Sequence, residues 1–191
     1  MVLPLLLLFA SSGMGHNSTQ TAEPKSPSKE KASSPSSCVF DFEHGEVPHC
    51  IRKTSTGGLS ISPQFLKELR FDSNGLAGVL SQTYGWMYVD RKGLVVINGV
   101  AWMDNGPDSF YDGRVRVIRD GKYGFANRNG KLVISTIYDG ALNFKNGQAI
   151  VCKGCKTQPE GPGNEYHWFV GGDWFQINRN GKVLARIPEI H

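Results

Sequence analysis

A chain of 191 residues, 39% hydrophobic and 20% charged, is long enough for one or two domains and can bury a sizeable core. Its net charge of +4 is mild and spread along the sequence, not clustered with aromatics as a nucleic-acid footprint would be. No apolar run reaches the length that crosses a bilayer, so no membrane span is expected in the mature chain.

The chain starts with the short apolar run Leu5-Leu6-Leu7-Leu8-Phe9, which suits the core of a secretory signal. Gly13 and Gly15 place cleavage before His16, giving a signal peptide over residues 1–15, although the usual basic n-region is missing. No cysteine stands where a lipoprotein signal needs one, and the Asn17-Ser18-Thr19 sequon matters only in a eukaryotic secretory pathway. Residues 16–37 are Ser, Thr, Pro, Lys and Glu with almost nothing apolar, a linker too poor in hydrophobes to offset the entropy of ordering. The expected location is periplasmic or secreted.

From residue 38 to 191 the sequence repeats itself. Trp86-Met87-Tyr88-Val89-Asp90-Arg91-Lys92-Gly93, Tyr123-Gly124-Phe125-Ala126-Asn127-Arg128-Asn129-Gly130 and Trp174-Phe175-Gln176-Ile177-Asn178-Arg179-Asn180-Gly181 share an aromatic, an alternating run and Asp/Asn-Arg-x-Gly. Each run reads as a half-buried strand, and each Asp or Asn can bond its own backbone two residues on. The closing Gly completes a short hairpin loop with a bulge. An apolar strand follows every time, at Leu94 to Ile97, Leu132 to Ile134 and Val183 to Ala185.

A second signature interleaves with the first: an aromatic, a polar turn, a Gly and another strand, starting at Phe71, Phe110 and Phe144. Gly75 to Gly93 spans 18 residues, Gly113 to Gly130 spans 17, and Gly147 to Gly181 spans 34, which implies an insertion in the last unit. Gly45-Glu46-Val47 and Gly58-Leu59-Ser60-Ile61 fit a degenerate first unit. The expected fold is all-β, an array of about four three-stranded antiparallel units, either a propeller-like ring or a short solenoid. Only Pro63 to Leu69 suits a short helix.

These interleaved motifs resemble the WG β-repeat family over about residues 40 to 187. The Trp-Gly pair that names the family is altered in each copy, because Met87 follows Trp86, Gly124 follows Tyr123 and Phe175 follows Trp174. The resemblance implies an all-β repeat protein, commonly bacterial, with no shared reaction and no catalytic residues to transfer.

The cysteines suit an exported protein. Cys38 and Cys50 bracket the eroded unit, where a bridge would compensate for a small core. Cys152-Lys153-Gly154-Cys155 allows a structural bridge with Lys-Gly as its turn, which is the preferred reading. Two alternatives stay open: a redox CxxC, although no thioredoxin-type βαβ pattern surrounds it, and a zinc site with His167, for which a fourth ligand is not evident.

Two connections break the repeat period, and recognition on repeat scaffolds usually falls in such loops. The stretch from Trp102 to Asp108 sets a Trp beside Asp104 and Asp108. The insertion from Cys155 to Trp168 ends in Tyr166, His167 and Trp168. Asp104, Asp108 and Asp112 lack the spacing of a calcium loop. Arg114, Arg116 and Arg119 read as a solvated outer face. The function expected is an exported non-enzymatic module, with no cofactor or metal, whose partner is a protein or a cell-envelope polymer. The alternative is a thiol-redox or metal-dependent enzyme centred on Cys152, Cys155 and His167.

Overall fold

The computed structural model describes residues 37–39, 45–103, 106–160 and 166–190. The expected signal peptide and all of the linker except Ser37 lie outside the described residues. In chain order come β1 (Cys38–Val39), β2 (Glu46–Val47), β3 (Ile51–Lys53), β4 (Leu59–Ile61), α1 (Pro63–Leu66), β5 (Leu76–Ser81), β6 (Gly85–Asp90) and β7 (Val95–Val100). Then follow β8 (Trp102–Met103), β9 (Gly106–Pro107), β10 (Arg114–Arg119), β11 (Lys122–Asn127), β12 (Leu132–Tyr138) and β13 (Gly140–Ala141). The last five strands are β14 (Gln148–Lys153), β15 (Lys156–Glu160), β16 (Tyr166–Val170), β17 (Asp173–Asn178) and β18 (Val183–Ile187).

The fold is all-β and antiparallel, with one short helix among the described residues, which Pro63 begins and which stops at Leu66, earlier than the sequence suggests. Three of the four expected units are three-stranded meanders: β5-β6-β7, β10-β11-β12 and β14-β17-β18. The first two join edge to edge where Val117 of β10 pairs with Val100 of β7, making a sheet ordered β12-β11-β10-β7-β6-β5-β1-β2. A second sheet runs β13-β14-β17-β18. Neither sheet has its two edge strands paired with each other among the described residues. The first unit departs from expectation. Its pieces are too short to build three strands, so β3 and β4 form a separate hairpin while β1 and β2 extend the large sheet.

Seven of the turns fall into two chemical classes. In the first, an Asp or Asn oxygen accepts the backbone N–H groups two and four residues later. Asp90 Oδ1 takes Lys92 and Leu94 at 2.9 Å each, Asn127 takes Asn129 and Lys131 at 3.1 and 3.0 Å, and Asn178 takes Asn180 and Lys182 at 3.0 Å each. Asp72 does the same with Asn74 and Leu76 at 2.8 and 2.9 Å. The Phe71 segment therefore belongs to this class, not with Phe110 and Phe144 as the sequence pattern suggests. The second class has two consecutive residues at positive φ, Asp112-Gly113, Asp120-Gly121 and Asn146-Gly147, which are type I′ hairpin turns.

In three of these turns, those of Asp90, Asn127 and Asn178, the closing glycine also sets the spacing between units. Gly130 has φ +78°, and a Cβ there would stand 2.1 Å from the Val96 carbonyl oxygen in the preceding unit's third strand. The same construction at Gly93 meets the Ile61 oxygen at 3.2 Å, and at Gly181 it meets Ile134 at 3.3 Å. Every internal junction among the described residues thus seats one unit's turn on the last strand of the unit before it. Gly124, the family-type glycine after the leading aromatic, has a different cause. A Cβ there would lie 2.5 Å from the Ile134 oxygen, because β12 bulges against β11 between the pairs Tyr123↔Tyr138 and Phe125↔Ile134. Where Phe175 replaces that glycine, β18 runs past it without a shift.

Apolar side chains fill the junctions. Val115, Val117 and Val100 pack with Leu76, Ile97 and Ala126 between the second and third units. Phe125 meets Phe144 edge-on at 4.8 Å within the cluster that joins the third and fourth units.

Candidate functional site

The two period-breaking connections are hairpins held down by different chemistry. The first carries β8 and β9, where Trp102 pairs with Pro107 and Met103 with Gly106. Pro107 rests on β5, since a Cβ at Gly78 would lie 2.7 Å from its ring. Trp102 is left 60% exposed. Asp104 lies outside the described residues.

Asp108 follows a different course. It is 7% exposed and receives Arg116 Nε at 2.9 Å and Nη2 at 3.0 Å, a two-pronged pair with a guanidinium that is itself 3% exposed. The Arg116 backbone N–H donates to the same carboxylate at 3.2 Å, and Asn143 Nδ2 does so at 3.2 Å. Arg116 Nη1 donates to the Ala141 carbonyl at 2.9 Å, while the Tyr88 hydroxyl donates to the Asp108 carbonyl at 2.9 Å. Burial, with the Asp108 and Asp72 charges behind it, pushes the Tyr88 phenol up to about 12. Asp108 is thus a cross-link between the second, third and fourth units and is not offered to a partner. The expected outer-face position of Arg116 is corrected too. Strand β10 is covered on both faces, so alternation with Val115 and Val117 does not point Arg116 to water.

The second hairpin is the insertion in the fourth unit, which pairs Lys156 with Val170 through to Glu160 with Tyr166. Its root is the Cys152–Cys155 disulfide, and Cys38–Cys50 forms the other bridge. The Lys153-Gly154 pair is not a hairpin turn as expected. It is a corner where the chain leaves β14 for a new sheet. Asp139 clamps this corner by accepting the Gly154 N–H at 2.8 Å and pairing with Lys122. The Lys122 bond foremost, then the Gly154 N–H, hold the Asp139 carboxyl below its usual value.

Both sulfurs are buried, and a Cβ at Gly140 would meet Cys152 Sγ at 2.7 Å and the Phe169 ring at 2.6 Å. Phe169 also meets Tyr123 edge-on at 5.4 Å. With Phe169 anchored inward, its strand neighbour Trp168 is left 52% exposed. Residues 161–165, which include Gly161, Pro162 and Gly163, lie outside the described residues. Tyr166 and His167 are placed only as members of β16. Among the described residues no three His, Cys, Asp or Glu side chains gather where a metal could bind.

The arginines of the Asp/Asn-Arg-x-Gly motif have a role that the sequence did not disclose. The Arg91 guanidinium lies 5.0 Å above Phe71, and that of Arg128 lies 4.4 Å above Phe110, each on the aromatic that opens its own unit. Arg128 also reaches Asp72 of the preceding unit at 3.6 Å. The Arg179 carbonyl accepts Arg114 Nε at 3.2 Å. Burial first, and Arg179 second, lower the Arg114 pKa. Arg91 thus braces its own unit, while Arg128 through its side chain and Arg179 through its backbone carbonyl tie neighbouring units together. The recurrence of an aromatic opening each unit and an Arg in each turn was the available signal.

Among protein-family models, the one described as WG containing repeat matches residues 123–156. This is the stretch that keeps an aromatic-Gly pair, Tyr123-Gly124. Searches of curated proteins and of solved structures found no match for the chain.

Proposed function

We propose, for a chain that belongs to the WG-repeat family through its unit at residues 123–156, that it is an exported, non-enzymatic binding module. Its partner would be a protein or a cell-envelope polymer, engaged through the β8-β9 and β15-β16 hairpins. The observation that carries this reading is the pair of tryptophans on those hairpins, Trp102 at 60% and Trp168 at 52% exposure. A large indole held in water on an anchored strand offers contact area at little conformational cost, which is why Trp is enriched where binding energy concentrates. Two disulfides suit an oxidising compartment and support export. The array is read as a short open solenoid, supported by the edge-to-edge joining of β7 and β10.

The thiol-enzyme alternative has less support. An exchange-active CxxC presents an accessible sulfur, whereas Cys152 and Cys155 sit bridged under Phe169 and Gly140.

Co-sedimentation with purified cell-envelope material tests the reading. Wild type should bind, and Trp102→Ala with Trp168→Ala together should reduce binding more than about tenfold while the melting temperature holds. Undiminished binding by the double variant would place the recognition surface elsewhere. Loss of a thiol-exchange activity in Cys152→Ser would favour the enzyme.

A further inference from the structure

Among the described residues, the junctions between units follow one rule, and the first turn and the last strand each leave one half of it unused. At every internal junction among the described residues, the closing glycine of one unit's turn sits against the last strand of the unit before. Gly93 sits on Ile61, Gly130 on Val96 and Gly181 on Ile134, and these contact residues stand three or four positions after their own unit's glycine. The first unit has the same turn. Thr54 N–H donates to the Gly58 carbonyl at 2.8 Å and Gly57 N–H to the Thr54 carbonyl at 3.0 Å, matching the Asn127–Lys131 turn at 2.9 and 3.0 Å. Gly57 has φ +83°, and among the described residues nothing lies within 4 Å of a Cβ built on it. Ser55, Thr56, Gly57 and Gly58 are exposed.

The other half of the rule is open at β18. Three and four positions after Gly181 stand Leu184 and Ala185, both exposed. Val183 is 49% and Leu184 46% exposed, whereas the corresponding strands β7 and β12 are largely covered. Among the described residues, strand β18 pairs with β17 alone, which leaves its outer edge without a strand partner there.

We propose that copies of this chain associate head to tail, the Thr54–Gly58 turn of one copy seating on β18 of the next as another repeat junction. The occupant follows from the molecule, because three intact junctions show what covers a unit's last strand here: the glycine turn of a WG-type unit. The contact is heterologous, since turn and strand are different surfaces, so it adds copies in series and not as a closed symmetric pair. A single junction is smaller than a standard interface, so the association should be weak, on the order of micromolar to millimolar. It makes no use of Trp102 or Trp168, and the double tryptophan variant should associate as wild type does.

Sedimentation velocity on the full oxidised chain over a concentration series tests this. Wild type should show a weight-average mass that climbs with concentration. Gly57→Asn keeps a residue that tolerates positive φ but fills the close approach, and Leu184→Glu charges the receiving strand; each alone should weaken association more than about tenfold. Mixed in equal amounts, the two should recover a one-to-one pair and stop there, because each retains the end that the other lacks. Thr56→Lys and Val183→Lys provide a second such pair at exposed positions should either first variant fold poorly. A wild type that stays monomeric throughout would overturn the proposal. So would Gly57→Asn associating as wild type does, which would mean symmetric pairing of two β18 edges.

Discussion

The third unit and the first are built on the same turn and held by different means. In the third, Asn127 ties the loop with its own oxygen, Arg128 lies on Phe110 and reaches Asp72, and Arg116 is locked to Asp108. In the first, the backbone hydrogen bonds of the turn persist, but Thr54 cannot supply the Asx oxygen and no arginine follows it. Its strands run two or three residues each, and the Cys38–Cys50 bridge stands where the side-chain cross-links would be. The backbone turn is therefore the element that survives erosion, and a covalent bond can substitute for a polar one.

Breaking the cross-link of the third unit should have the largest effect. Asp108→Ala strands a buried guanidinium, and the expected loss is about 3–5 kcal/mol of unfolding free energy in urea. Asp108→Leu combined with Arg116→Met should lose much less than the two single changes added together, because no charge then stays buried. A loss under about 1 kcal/mol for Asp108→Ala would mean that the pair is solvated and that the third unit owes little to it.

Removing the bridge of the first unit comes next. Cys38→Ala with Cys50→Ala frees a loop whose closure entropy amounts to about 3 kcal/mol in the chain-entropy model, while Cys152→Ala with Cys155→Ala frees a shorter one, about 2 kcal/mol. Thermal melts of both double variants check the order. If the second pair proves the more damaging, the corner beneath Phe169 matters more than the eroded unit.

The glycines separate turn conformation from junction packing. Gly57→Ala should lose about 1–2 kcal/mol, from positive φ alone. Gly130→Ala faces the same strain plus a carbonyl oxygen in its path, so it should lose at least about 1 kcal/mol more. Equal losses would show that the junction yields freely.

Strand positions and turn glycines were legible because their causes are local: alternation marks a half-buried strand, and Asp/Asn-x-x-Gly marks the loop. What stayed hidden depends on the tertiary neighbourhood. Arg116 reads as an outward residue by alternation, and only the cover laid over β10 by Asp108, Ala141 and Asn143 turns it into a buried cross-link. Asp108 shares a loop with an exposed Trp102, and nothing in the sequence separates the residue that faces water from the one that does not. Gly58 served as the repeat marker in the first unit, yet the residue at positive φ is its neighbour Gly57. Two adjacent glycines cannot be told apart without the hydrogen bonds.

Acid should distinguish the two bridges by a smaller effect. The Asp139 carboxyl at the Cys152–Cys155 corner has a folded pKa below its unfolded value of 3.8. Its contribution is complete above pH 3.8 and is lost as pH falls from there through the folded value. The melting temperatures of wild type and Asp139→Asn should therefore differ at neutral pH and converge as the carboxyl protonates. A constant gap down to low pH would mean that the charge does not hold the corner.

The smallest expected effect runs in the direction of repair. Thr54 occupies the place of Asp90, Asn127 and Asn178, and its hydroxyl bonds the Thr56 hydroxyl at 3.0 Å instead of the backbone. The turn already has the backbone geometry in which an Asx oxygen would meet the N–H groups two and four residues on, at Thr56 and Gly58. Thr54→Asn should add those bonds at an exposed site and lose one exposed hydroxyl contact, a net gain of about 0.5 kcal/mol. The gain should appear in a Cys38→Ala, Cys50→Ala background, where the first unit has lost its covalent support and its own turn must hold it. No change there would mean that the unit's stability resides in the apolar contacts of Ile51 and Ile61 with Val79 and Met87, and that its turn is a passive connector.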